Sequence, residues 1–228
     1  MKLKAHVQPG AGTVERLLDA AERLFAEHGY DGVGVRQLAD EARVNLGAAT
    51  YHFGSKELLF IETFMRRFRP TNAERLRLLS RAEQEAGGKP LPVETIVECM
   101  IRPPFESGIA HPVFHLLLAR NLHQPPPFLH RAIHKEMAPN FERFIAAFRH
   151  ALPEVPKDLL ILRSMWGMGV LIQFSAHARE MPGLKDPKVH EPLFREMVRF
   201  ISAGLQVRPA LESRERPPLP FPPQLPPK

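Results

Sequence analysis

The stretch Tyr51-His52-Phe53-Gly54-Ser55-Lys56-Glu57-Leu58-Leu59 packs a helix end, a turn and a helix start into consecutive residues. Gly54 stops the helix that carries Tyr51, because glycine takes a left-handed backbone without steric cost. Ser55 then serves as N-cap for a helix opening at Lys56. Upstream, Leu46-Gly47-Ala48-Ala49-Thr50 extends the same short helix back to Asn45, a second capping residue. Arg43-Val44-Asn45 separates it from Val35-Arg36-Gln37-Leu38-Ala39-Asp40-Glu41-Ala42, whose Val35, Leu38, Ala39 and Ala42 point inward together. Tyr30-Asp31-Gly32-Val33-Gly34 reads as a turn. Before it, Val14, Leu17, Leu18, Ala21, Leu24 and Phe25 recur at a 3.6-residue period, with Thr13 as the expected N-cap and Gly29 at the C-terminus. Two short helices joined by a tight turn and packed on a longer one make a helix-turn-helix, with the reading motif at about residues 34–53.

The rest of the chain also reads as helix. Segments 56–69, 93–102, 112–122, 128–150 and 158–179 are helix candidates. Leu193, Phe194, Met197, Val198, Ile201 and Leu205 give a further apolar face at helical spacing. No stretch shows sustained strand alternation, so the expectation is an all-α protein of about nine helices. Prolines punctuate it. Pro103-Pro104, Pro125-Pro126-Pro127 and the Pro153/Pro156 pair read as helix boundaries. Eight of the 24 prolines fall between Arg208 and Lys228, an expected flexible, extended tail. The expected domains are 11–71 (helix-turn-helix), 72–207 (helical bundle) and 208–228 (tail).

Composition narrows the function classes. The 228 residues are 44% hydrophobic and 25% charged, which argues against a wholly disordered chain. Cys99 is the single cysteine, which excludes an intrachain disulfide and any multi-cysteine zinc site and fits a reducing, cytoplasmic setting. No apolar run approaches the ~18 residues of a membrane span, and the first ten residues lack the apolar core of a secretory signal. The net charge of +6 is basic. Residues 1–70, however, hold ten Lys/Arg against nine Asp/Glu, so charge arrangement rather than excess must attract a polyanion. Gly-x-Ser-x-Gly, phosphate-loop, His-Glu-x-x-His and paired-carboxylate signatures are absent, and no catalytic residue or cofactor is expected.

Three strings carry a family resemblance over about Ala11 to Thr71: Leu24-Phe25 with His28-Gly29-Tyr30, Val35-Arg36-Gln37-Leu38-Ala39, and Tyr51 through Leu59. This segment resembles the N-terminal domain of the tetracycline-repressor (TetR) family of bacterial transcription regulators. The resemblance implies a helix-turn-helix that binds a palindromic double-stranded DNA operator, followed by a helical ligand-binding and dimerisation domain. Two departures stand out. Arg43 occupies the place of the usual turn glycine, which requires either a positive φ or a different turn, and Thr50 replaces a commoner aromatic or Asn.

A recognition helix enters the major groove, whose ~12 Å width admits a helix. Leu46, Gly47, Ala48 and Thr50 would face the bases. Arg36, Asn45, Thr50 and Tyr51 would carry direct readout, with DNA shape adding the rest. Tyr51, His52 and Lys56 would hold phosphates, Lys56 at a helix N-terminus that favours anions.

The remaining helices offer a ligand site and a dimer interface. Met100, Phe105, Phe114, Leu118, Phe141, Phe144, Met165 and Trp166 are candidates to line an apolar pocket for a small, largely apolar effector, although ordinary core filling explains each of them as well. Residues 159–178 are apolar on nearly all sides and so should be buried on all sides. The resemblance implies a homodimer through helices at about 158–179 and 191–206. His111/His115 and His130/His134, with His123 between, are i, i+4 pairs that suit Zn or Ni, and a metal-gated regulator is the alternative. An enzyme using Cys99 as nucleophile is a third reading.

Overall fold

The computed structural model describes residues 11–121, 124–177 and 180–209. The proline-rich segment from residue 210 on and His123 lie outside them. Among the described residues there are nine α-helices and no strand: α1 (Ala11–His28), α2 (Val35–Glu41), α3 (Leu46–Phe53), α4 (Lys56–Ala86), α5 (Val93–Ala110), α6 (Pro112–Asn121), α7 (Pro127–Ala151), α8 (Lys157–His177) and α9 (Pro187–Gln206). The all-α expectation holds.

Two compact units form. The first holds the chain up to Pro70 together with Ala110–Glu136; the second holds Thr71–Ile109 and the chain from Met137 on. The first unit therefore contains α6 and the start of α7 in addition to residues 11–70. An aromatic cluster explains why. Phe25 of α1 meets Phe60 of α4 edge-on with centroids 4.6 Å apart, and Phe64 of α4 meets Phe114 of α6 at 5.8 Å. Leu117 and Leu129 complete this core and are fully buried. Arg120 of α6 also donates to the Glu27 carbonyl at 3.0 Å, satisfying an orphan acceptor at the α1 C-terminus. On the other side of α1, Arg66 bonds Asp19 at 2.9 Å and both Arg66 and Arg67 reach the buried Glu22. Asp19 and Glu22 of α1 are thus occupied by Arg66 and Arg67 of α4.

The second unit packs α5, α7, α8 and α9 around Ile96, Phe105, Phe144, Phe148, Phe194 and Leu205. α8 and α9 approach closely at Gly167, where an added Cβ would stand 2.7 Å from Ile201 Cγ2. Arg163 of α8 donates to the Leu205 carbonyl at 2.8 Å near the α9 C-terminus. Arg102 of α5 stacks 4.0 Å from the Phe194 ring centre and bonds Glu191 at 2.9 Å.

Several local expectations need correction. Thr13 lies inside α1, which already runs from Ala11, so it is not the N-cap. Pro103-Pro104 does not end a helix: α5 continues to Ala110. An interior proline costs about 3 kcal/mol, but Ile101, Pro103 and Phe105 are all buried, and burying one large apolar side chain returns roughly 1.5–3 kcal/mol. α4 likewise passes through Pro70 instead of stopping at residue 69, with Phe64 and Met65 buried before it and Arg75 and Leu79 after it. Finally, α8 is not buried all round. Leu160, Gly167 and Leu171 pack inward, while Met165 and Trp166 are 40% and 62% exposed.

Candidate nucleic-acid interface

The candidate interface is built on α2, α3 and the turn between them. α2 ends in a glycine-type cap made without glycine: Arg43 takes φ 55°, Arg43 N–H donates to the Asp40 carbonyl at 3.0 Å, and Val44 N–H donates to the Ala39 carbonyl at 2.9 Å. This is the paired bonding of a Schellman motif, with Val44 packed against the small apolar cluster that includes Ala39. Of the two outcomes open for Arg43, the positive φ is the one adopted. Arg16 of α1 donates to the Ala42 carbonyl at 3.3 Å, tying the end of α2 to α1. Ala39, Ala42 and Ala49, all small, let α2 and α3 sit close on Leu17 and Ala20.

Asn45 caps α3 as expected: its Oδ1 accepts from Ala48 N–H at 2.6 Å. That bond uses its carbonyl and leaves the amide N–H₂ free to donate. Thr50 Oγ1 donates to the Leu46 carbonyl at 3.1 Å, so its hydroxyl faces outward chiefly as an acceptor. Gly54 takes φ 69° to end α3, and Ser55 Oγ accepts from Leu58 N–H at 3.2 Å to start α4. Leu46, Gly47, Thr50 and Tyr51 are exposed on α3, Ala48 is half-buried and Ala49 faces the core. Tyr51 is 85% exposed, an aromatic ring with little beside it except the edge of His52 at 5.3 Å. His52 is half-buried. Lys56 sits at the start of α4 with Nζ 4.2 Å from the Tyr30 ring centre, and among the described residues it makes no ion pair. Arg36 is exposed on α2.

Two exposed residues escaped the sequence reading, Gln37 beside Arg36 and Arg43 in the turn. Arg43 was legible only as a turn anomaly; the left-handed backbone that projects it outward is a product of the cap. Arg36 and Gln37 also border a shallow open depression with Leu24, Gly34, Asp40 and Glu41. Its two carboxylates make it a poor seat for phosphate, and Glu41 is bonded to Arg23 at 2.8 Å.

The eight residues read as a ligand pocket are divided between the two units. Phe114 and Leu118 belong to the aromatic core of the first unit. Met100, Phe105 and Phe144 are buried in the core of the second, with Phe141 partly buried against it. Met165 and Trp166 face solvent. Helical periodicity marks apolar faces but does not say which face meets which.

The histidines fare differently from their spacing. His115 is buried and its imidazole is pulled down to about 4, first by burial and then by His111. His111 lies 3.3 Å from the Arg67 guanidinium, which repels a cation. Among the described residues no three metal-ligating side chains gather. Cys99 is buried and its thiol is pushed up to about 11, an inert state for a nucleophile. Among the described residues no helix is long and apolar enough to cross a membrane.

The chain matches two families: "Bacterial regulatory proteins, tetR family" over residues 17–63, and "Tetracyclin repressor-like, C-terminal domain" over residues 98–204. The first covers the helix-turn-helix just described and the second most of the helical bundle. This chain belongs to the TetR family. It is similar to the HTH-type transcriptional repressor NicS of Pseudomonas putida, 31% identical over 125 residues that make up 54% of this chain and 55% of NicS. It is also similar to the repressor AcnR of Corynebacterium efficiens, 47% identical over 47 residues, or 21% of this chain and 25% of AcnR. The matched stretch thus spans about a quarter to a half of these relatives. The fold of HlyIIR, a hemolysin II transcriptional regulator, superposes with a TM-score of 0.56 at 18% identity, covering 87% of this chain and 99% of HlyIIR.

Proposed function

We propose that this TetR-family chain is a cytoplasmic, homodimeric transcriptional repressor that reads a pseudo-palindromic DNA operator with α3 and is released by a small, largely apolar effector. The observation that carries the reading is Tyr51: an 85% exposed aromatic on a helix whose other face is locked to α1 and α2. An unpartnered ring on a rigid helix suits a groove wall, where it contacts phosphate and sugar. Around it, the Asn45 amide donates, the Thr50 hydroxyl accepts, Leu46 offers methyl contact to thymine, and Arg36, His52 and Lys56 bring positive charge or donors. Gly47 and Ala48 keep the helix slim enough to approach the bases.

One α3 reads one half-site. Two copies related by a two-fold axis read half-sites centred about 34–36 Å apart, or a multiple of that. The α8–α9 pair supports the dimer. Met165 and Trp166 on α8, Leu193 and Phe200 on α9, and Val207 just past its end are exposed apolar groups along two helices already packed together. An effector bound in the second unit acts by its differential affinity for a DNA-competent and a DNA-incompetent conformer.

Selection of bound duplexes from a random pool tests the reading. A palindromic consensus is expected, and Thr50→Ala or Asn45→Ala should change which sequence is selected. Recovery of no enriched sequence, with binding no tighter than to non-specific DNA, would overturn it.

A further inference from the structure

Arg75 lies on the part of α4 that belongs to the second unit, is 5% exposed, and is the only buried Lys or Arg among the described residues. A guanidinium has five N–H donors and keeps its charge inside a protein. Here Nη1 donates to Asn72 Oδ1 at 3.4 Å and Nη2 stands 3.6 Å from Met168 Sδ on α8. The guanidinium carbon is 5.4 Å from the Phe144 ring centre on α7, and Nε has no hydrogen-bond partner. No carboxylate among the described residues pairs with it; the neighbouring Glu74 bonds the exposed Arg77 instead. Burial draws the Arg75 guanidinium down to about 10, with no nearby charge to oppose it, so it remains a cation at neutral pH.

Two other buried polar groups stand unmatched on the same helices. Asn140 Oδ1 is one turn before Phe144 on α7, and Ser164 Oγ is one turn before Met168 on α8. Residues four apart share a helix face, so Asn140 lies on the face that carries Phe144 and Ser164 on the face that carries Met168. A lone buried charge is costly, and an apolar residue of similar volume commonly stabilises such a site. The usual structural roles of a buried arginine, an ion pair or a carbonyl cap, are not filled here.

We infer that the second unit binds an effector made of an apolar body and a single carboxylate, and that Arg75 is the carboxylate's partner, with the Asn72, Asn140 and Ser164 side chains around it. The inference deepens the proposed effector reading and rests on it. One guanidinium among neutral polar groups matches a monoanion; a phosphate dianion would call for a second cation. The planar fork of arginine suits the two carboxylate oxygens, and the methionines at 137 and 168 supply adaptable apolar walls.

The test uses the full chain with octanoate, dodecanoate, hexadecanoate and phenylacetate, each beside its primary amide, followed by calorimetric titration and thermal melting. At least one acid should bind about tenfold or more tightly than its amide, as expected for a charge-assisted pair. Arg75→Met should bring acid and amide within about twofold and, without ligand, melt at a higher temperature than the wild type. The wild-type comparison needs no variant. Binding by none of the acids, equal binding of acid and amide, or an Arg75→Met chain that keeps the preference, melts lower or fails to fold overturns the inference. DNA binding by the ligand-free chain is measured separately, so failure of the repressor reading is distinguished from failure of the anion site.

Discussion

Trp166 is the largest apolar side chain that the single chain leaves open, and its replacement by alanine measures what α8 and α9 are for. With 62% of its surface in solvent, out of roughly 250 Å² for a tryptophan, it exposes about 150 Å². At about 25 cal/mol per Å², covering it is worth about 4 kcal/mol per subunit, and a two-fold interface buries it twice. Half coverage still leaves about 4 kcal/mol for the pair, close to a thousandfold in dissociation constant. Phe200, 66% exposed on α9, doubles the argument from an independent position. Sedimentation equilibrium across nanomolar to micromolar concentration reads the effect directly. Trp166→Ala should shift the monomer–dimer midpoint upward by two to three decades, with the fold retained because most of the indole lies in solvent in the single chain. A midpoint that stays put, or a wild-type chain that is monomeric throughout, refutes the reasoning.

Three further outcomes are expected. Lys56→Ala should weaken binding to all DNA sequences and reduce the slope of log affinity against log salt by about one unit, read by fluorescence anisotropy over a salt series; it also gives up the contact with Tyr30, worth about 0.5–1 kcal/mol of stability. Arg43→Gly should stabilise the fold by about 1 kcal/mol in urea denaturation, because φ 55° strains any residue with a Cβ. His115 makes stability depend on pH: its folded value, about 4, lies below its unfolded value near 6.5, so the unfolded chain binds more protons between them. Stability is fully present above about pH 6.5 and is lost as pH falls toward 4, by about 2 kcal/mol between pH 7 and pH 5. His115→Gln should flatten that part of the urea-midpoint profile.

Short-range residue patterns were enough to set the local grammar of the helix-turn-helix. Asn45 and Ser55 as caps, Gly29 and Gly54 at helix ends, and Ala39 and Ala42 as inward residues were all legible, because caps, tight turns and helix faces depend on residues a few positions apart. The helix count was legible for the same reason: apolar periodicity is local. Three matters were decided only by tertiary structure. Pro70, Pro103 and Pro104 sit inside helices because burial on both sides outweighs the lost backbone bonds, a balance struck by residues far away in sequence. Phe114 and Leu118 joined the core of the first unit, while Met100 and Phe105 filled the second and Trp166 stayed outside. An apolar stripe records that a face will be covered, not by what. Arg75 makes the same point for charge. In the sequence it is one arginine in a helix full of them, and only the packing of α4, α7 and α8 removes it from water without supplying a counter-ion.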